Sequence, residues 1–268
     1  MLAVREPAVS NMFYPGNPEE LKQMLTYFLE QAPLYPYKPE AVVSPHAGYV
    51  YSGPTAAVSY KQFLNLDPDK HYDVLLIGPS HYVPFGGISF GYYDYWETPL
   101  GDVPVNKKRI EEFVALYKDK LPITLNTLPH QKEHSLEVQV PFLQMVLKDF
   151  SIIPVVYGQI DFSIVEEVID FFKDDRDDTV VVISTDLSHY YPDEVARQID
   201  AYCHLAVEKL DISYLDKCEA CGKIGLAAII DYARKKGWKS KVLDYKTSGD
   251  TSGDRSAVVG YASYIFYK

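Results

Sequence analysis

Three of the seven histidines, His46, His81 and His189, each follow a short apolar run and sit among small or turn-forming residues. The local sequences are Ser-Pro-His-Ala-Gly (44–48), Gly-Pro-Ser-His (78–81) and Asp-Leu-Ser-His (186–189). Such neighbours let the backbone turn sharply and expose the imidazole. Neutral imidazole is a common protein ligand for zinc, iron and copper. Three imidazoles in equivalent positions therefore predict one polar site that holds a metal ion. An anionic ligand, carboxylate or thiolate, usually completes such a set. Asp186, Glu137 and a cysteine are the candidates.

Cys218-Glu-Ala-Cys221 has CxxC spacing, but no second CxxC supports a zinc ribbon and no preceding strand–helix–strand unit supports a thioredoxin-like motif. Cys218 reads as a small buried apolar residue. Cys221 precedes Gly222 at the start of a helical pattern (224–233), where a helix N-terminus favours the metal-binding thiolate. His134 and Glu137 stand three apart at the start of another helical pattern, either as a pair lining the pocket or as a capping arrangement. Asp186 and His189 have the same spacing. In a helical turn their side chains would meet, and the carboxylate would orient the imidazole for proton transfer.

The elements that must position these residues are legible as apolar runs. Ala41–Val43, Asp73–Ile77 and Thr179–Ile183 are continuous enough to be strands buried on both faces. Helical patterns lie between them, near 54–64, 107–119, 135–148, 163–173 and 193–210. Alternation of strand and helix predicts an α/β fold with a largely parallel sheet, in which ligands bind beyond the carboxyl ends of the strands. Asn17-Pro18-Glu19-Glu20 has the form of a helix start. Residues 151–156 form a further strand, which Pro154 marks as an edge or a bulge. Residues 86–106 suggest a hairpin, 241–245 and 257–267 suggest strands, and 247–254 a flexible loop. No linker divides the chain, so residues 1–268 are expected to form a single domain.

The 268-residue chain carries a net charge of −11, which disfavours nucleic acid and anionic membrane surfaces as partners. No run approaches the length of a membrane span, and the N-terminal stretch lacks a signal-peptide pattern. The expected location is cytoplasmic. Three cysteines, an odd and small number, do not suggest a disulfide framework.

Ser-Pro-His-Ala-Gly-Tyr (44–49), Gly-Pro-Ser-His (78–81), Glu-His-Ser-Leu-Glu (133–137), Ser-Thr-Asp-Leu-Ser-His-Tyr (184–190) and Cys-Gly (221–222), in that order, resemble the Memo family. Its prokaryotic members are called AmmeMemoRadiSam system protein B. The stretch Ala-Val-x-x-x-Phe-Tyr-Pro-Gly (8–16) matches as well. The resemblance implies a mixed sheet flanked by helices, like that of class III extradiol dioxygenases. It implies that His46 and His81 are metal ligands, that His189 is an acid–base group beside the substrate, and that Cys221 replaces a carboxylate ligand. Thiolate is softer than carboxylate, so one divalent or redox ion is expected, iron or copper before zinc, and the ring-opening reaction is not implied.

Two functions compete. One is a metal-dependent redox enzyme with His46, His81 and Cys221 on the ion, Asp186 and His189 moving protons, and His134, Glu137 and Tyr49 lining the pocket. The other is a binding module for a peptide or small anion, with an aromatic-walled cleft of Tyr49, Tyr51, Tyr82, Tyr190 and Tyr191. A phosphopeptide site would want clustered arginine, and only Arg255 lies near a Gly/Ser-rich loop. The family name also implies radical SAM and AMMECR-type partners, with this chain as an accessory component.

Overall fold

The computed structural model describes residues 1–268. In chain order the strands are β1 Val4–Arg5, β2 Ala41–Ser44, β3 Tyr72–Pro79, β4 Ile88–Phe90, β5 Tyr95–Thr98, β6 Gly101–Pro104, β7 Ile123–Thr124, β8 Phe150–Tyr157, β9 Thr179–Ser184, β10 His189–Tyr191, β11 Lys239–Thr247 and β12 Val258–Tyr267. The helices are α1 Pro18–Gln31, α2 Tyr49–Lys61, α3 Lys107–Tyr117, α4 Leu128–Gln131, α5 Val140–Val146, α6 Phe162–Lys173, α7 Asp193–Lys209, α8 Lys223–Lys236 and α9 Ser248–Ser252.

The apolar runs at 41–43, 73–77 and 179–183 become the centre of a nine-stranded mixed sheet, ordered β10-β12-β2-β9-β3-β8-β4-β7, with β11 on the other edge of β12. The strands β2, β9, β3 and β8 are mutually parallel. Every residue of β2, β3 and β9 is buried, as their unbroken apolar character requires. Because the four run the same way, Ser44, Pro79, Tyr157 and Ser184 all end at one edge of the core. That common edge carries the site. Antiparallel β12 and β4 flank the parallel centre on either side. One apolar core runs from Val9 to Phe266. The residues 86–106 do form a hairpin, β5–β6, which with β1 makes a separate three-stranded sheet.

Helix α1 begins as its sequence predicts: the Asn17 side chain accepts from Glu20 N at 3.0 Å, and Pro18 stands in the first turn. The expected helix at 135–148 is shorter. A 3-10 turn, Glu137–Gln139, precedes α5. Strand β8 is interior, with an unbroken register to β3, so Pro154 marks neither an edge nor a bulge. Pairing with β4 ends one residue later, at Val155. Gly91 N still donates to Pro154 O, and Gly91 O accepts from Tyr93 N, so the proline's missing donor leaves no acceptor orphaned. The segment 247–254 is not a free loop. It forms α9 with a capping box between Thr247 and Asp250, and Arg197 and Arg255 both bind Asp250.

One expectation about the cysteines is overturned. Cys203 on α7 and Cys218 form a disulfide, closing a 15-residue separation. Cys218 is therefore not a lone apolar residue, although it is fully buried. Spacing could not show the pairing, because the turn from Leu210 to Lys217 folds back onto α7 and brings the two Cα atoms within 5.0 Å. No helix is long and apolar enough to cross a membrane.

His204, also on α7, packs on the ring of Tyr245, and its Nδ1 lies 2.7 Å from the Tyr264 hydroxyl. Burial lowers its pKa from 6.5 to about 4. The folded state thus refuses a proton that the unfolded chain accepts. Stability should be fully present above about pH 6.5 and fall as the pH drops towards about 4. Urea unfolding at pH 7 and pH 4.5 should show this loss, with a smaller loss in His204→Gln. An equal loss in the variant would remove His204 from the account.

Candidate metal centre

Ser184, the last residue of β9, organises the site. Its hydroxyl donates to Ser135 O at 2.6 Å and accepts from Gln139 Nε2 at 3.1 Å. A hydroxyl has one proton, and a carbonyl can only accept. The His46 Nδ1 atom, 2.8 Å from the same oxygen, must therefore be a donor. That leaves His46 Nε2 facing Cys221 Sγ at 3.2 Å. The ring is buried, with His46 at 2% exposure.

His81 is held in the same way by a different group. Its Nδ1 lies 2.8 Å from Glu133 Oε2, and its backbone N–H donates to Glu133 Oε1. The Glu133 carboxylate also accepts from the backbone of His134 and Ser135, both at 3.0 Å. Burial opposes charge on this carboxyl, but the His81 imidazole and these N–H groups outweigh it and bring the pKa to about 2. An ionised carboxylate can only accept, so His81 also presents Nε2 to the centre.

The third imidazole is His134. Its ring stacks on His81 with centroids 4.6 Å apart and meets His46 edge-on at 5.3 Å. Phe13 packs on it and the Tyr82 hydroxyl lies 3.1 Å from its Nδ1. One donor atom from each of His46, His81 and His134 lies within 4.8 Å of the others, so the three could hold a metal ion. The Cys221 sulfur beside His46 Nε2 adds a soft anionic donor to that set.

Gly222 explains how Cys221 arrives. A Cβ there would stand 2.6 Å from Thr185 Cβ and 2.7 Å from Ser184 O, so only glycine lets the start of α8 press onto the end of β9. Gly222 N donates to Thr185 Oγ1 at 2.8 Å, and Asp186 N donates to Cys221 Sγ at 3.4 Å.

The charges form a consistent set. Burial resists a thiolate at Cys221, but His46 and His81 bring its pKa down to about 6. Burial likewise resists an imidazolium at His81, yet Cys221 and Glu133 raise its pKa to about 10. His46 is shifted upward too, with Asp186 and Cys221 overriding burial. His134 goes the other way, to about 3, through burial and the two neighbouring histidines. Imidazole protons facing a thiolate are the protons that a bound cation displaces.

A cavity of about 870 Å³ opens beside the centre, lined by His81, Cys221, Tyr82, Phe85, Tyr157 and Gln159 among others. No lysine, arginine, aspartate or glutamate lines it. Of the tyrosines expected to wall a cleft, Tyr82 lines this cavity, whereas Tyr51 and Tyr190 are exposed outside it. Tyr190 has φ of 67°, an uncommon conformation for a bulky residue, at the irregular pairing of β10 with β12.

Several expectations need correction. His189 does not join the histidine cluster. It is exposed, its ring neighbours Tyr190 at 5.8 Å, and its place in the cluster is taken by His134. Asp186 does not engage His189: Oδ1 accepts His46 N at 2.8 Å and Oδ2 lies 3.8 Å from His46 Nε2. The cause is backbone conformation. Residues 185–188 are irregular and His189 begins a strand, so a three-residue spacing does not put two side chains on one face. Glu137 does not line the pocket. Its carboxylate is fully engaged with the N-terminal segment, taking Arg5 and Ala8 N at 2.7 Å each, Tyr14 OH at 2.8 Å and Val9 N at 3.0 Å. Tyr49 is a core residue, its hydroxyl donating to Val138 O and its ring packed on Phe142.

Glu133 and Ser184 were missed as candidates. Glu133 had a signal, since it directly precedes His134 in the Glu-His-Ser-Leu-Glu stretch. Ser184 had none beyond its place at a strand end.

The family model described as Memo-like protein matches residues 5–265. An Archaeoglobus fulgidus MEMO1 family protein is 38% identical over 276 residues, covering 98% of this chain and 99% of that protein. MEMO1 family proteins of Aquifex aeolicus and Thermotoga neapolitana are each 37% identical, covering 99% and 98% of this chain and 100% and 99% of their own lengths.

The two glutamates of the motif can be separated by experiment. Glu137→Ala leaves Arg5 buried without its partner and should cost about 3–5 kcal/mol in urea unfolding, with metal affinity retained by the folded fraction. Glu133→Gln should instead weaken metal affinity about 10–100-fold by freeing the His81 ring. Identical behaviour of the two variants would contradict this division.

Proposed function

This chain belongs to the Memo-like protein family, and from that premise we propose that it is a metal-dependent redox protein acting on a small molecule bound beside the ion. His46, His81 and Cys221 are the ligands in this reading; the redox role favours iron or copper, although two imidazoles and a thiolate also suit zinc. The observation that carries it is the orientation of the two rings. Each has its Nδ1 taken by a fixed acceptor, Ser184 or Glu133, and so presents Nε2 to the centre. Imidazole ligands held by a second hydrogen bond of this kind are the usual construction of protein metal sites.

A bound ion would supply a Lewis-acidic or electron-transferring centre. The residues of the chain would do the rest. His134, kept neutral by burial and its neighbours, offers a further donor or a ligand contact. Asp186 holds the His46 backbone and stands beside its ring. His189, exposed next to Tyr190 and outside the histidine cluster, would be an acid–base group only for a molecule that extends to β10. Away from His81 and Cys221 the cavity walls carry no ionisable acid or base of the lysine, arginine, aspartate or glutamate kind, which favours a neutral or weakly polar ligand body. A phosphopeptide ranks lower, because no lysine or arginine lines the cavity, and Arg255 is already paired with Asp193 and Asp250.

Metal analysis of untagged protein tests the reading. Wild type should carry or take up about one iron or copper ion per chain. His81→Ala and Cys221→Ser should each take up far less, while remaining folded by circular dichroism. The reading is abandoned if wild type holds no iron, copper or zinc above the His81→Ala level.

A further inference from the structure

Tyr261 lies on β12 and is only 2% exposed. Among buried tyrosines it is unusual in what it lacks. Tyr14, Tyr49, Tyr60 and Tyr157 each use the hydroxyl in a hydrogen bond within the protein. The Tyr261 hydroxyl has no such partner, yet it is not sealed from solvent as a buried unpartnered atom would be. Nor does the residue belong to the apolar core, although its neighbours Ala262 and Tyr264 do. Buried tyrosine hydroxyls ordinarily find a partner.

The topology says where this side chain stands. One edge of β12 pairs with β2 as far as Tyr264 opposite Val43. Further along the same edge, Gly260 exchanges hydrogen bonds with Leu187 N and Ser188 O at 2.8 and 2.9 Å. Between these two pairings the edge of β12 faces the gap where β2 and β9 give way to the loops of His46 and Asp186. Continuing the register of β12 with β2 places Tyr261 opposite His46, and continuing that of β2 with β9 places His46 opposite Asp186. The bond from His46 N to Asp186 Oδ1 shows that the last two remain side by side beyond the strands.

We propose that Tyr261 is a ligand-binding residue of the centre, whose hydroxyl donates a hydrogen bond to an acceptor atom of a small molecule seated between the metal position and the Tyr51–Tyr190 rim. The inference rests on the metal reading above. Burial, with Asp186, Tyr51 and Tyr190 around it, holds this phenol well above its ordinary pKa, so it stays a donor at any physiological pH. It lies apart from the cavity on the His81 side, where the Tyr157 hydroxyl accepts from Gly225 N.

Cobalt(II)-loaded protein provides the test, with azide as the probe ligand and the thiolate–cobalt absorption as the readout. Tyr261→Phe removes a hydroxyl that holds nothing in the fold. It should leave cobalt stoichiometry, the thiolate–cobalt band and Tm unchanged, and weaken azide binding about tenfold. Equal azide affinity in wild type and variant overturns the proposal, as does a loaded wild type that takes no azide. Loss of cobalt or of thermal stability in Tyr261→Phe also overturns it, because the role would then be structural. If wild type takes no cobalt and His81→Ala behaves alike, the metal reading itself has failed and this inference falls with it.

Discussion

One hydroxyl proton constrains this site. Ser184 gives it to the Ser135 carbonyl, so every other group around that oxygen must be a donor. The consequence reaches three segments at once. It fixes the His46 ring from the loop after β2, it holds the turn that carries His134, and it takes one donor from Gln139, whose same amide nitrogen reaches Pro45 O at 2.9 Å. The polar centre is thus tied to the end of β9, a strand buried along its whole length. Loops that would otherwise move independently share one rigid reference point.

The Glu-His-Ser-Leu-Glu stretch shows how one short motif serves two ends of a structure. Glu133 turns towards the histidines, and Glu137 turns away to capture Arg5, two backbone N–H groups and Tyr14. The N-terminal segment is pinned across the back of the site by this second carboxylate. Phe13, delivered by that segment, packs on the His134 ring. The stretch from residue 133 to 137 therefore positions the His81 ring directly with one glutamate and packs the His134 ring indirectly with the other.

Much of the architecture was legible in the sequence, because its causes are local. Continuous apolar runs become fully buried parallel strands, and the strand ends deliver His46 and His81 to one edge. The Asn17 cap and the 86–106 hairpin follow from turn and capping chemistry. What the sequence concealed depends on contacts between distant segments. His134 enters the cluster, and Glu133 orients His81, only because the turn at 133–136 folds over the end of β3. Asp186 and His189 part company because their segment is not helical, which no spacing rule detects. The Cys203–Cys218 pair depends on how a 3-10 turn returns to α7. Pro154 reads as an edge signal, yet it is tolerated inside the sheet because β4 is short.

The disulfide has a meaning for the remaining cysteine. Cys218 is the nearest cysteine in the chain to Cys221, three residues away, and a vicinal pair of this kind readily closes on itself when oxidised. Bonded to Cys203 and buried, Cys218 is withdrawn from that reaction. The covalent link behaves as a chemist's protecting group: it consumes two thiols so that the third stays free and undivided in its allegiance. A fold with three cysteines thereby presents one thiolate, at one address, beside two imidazoles.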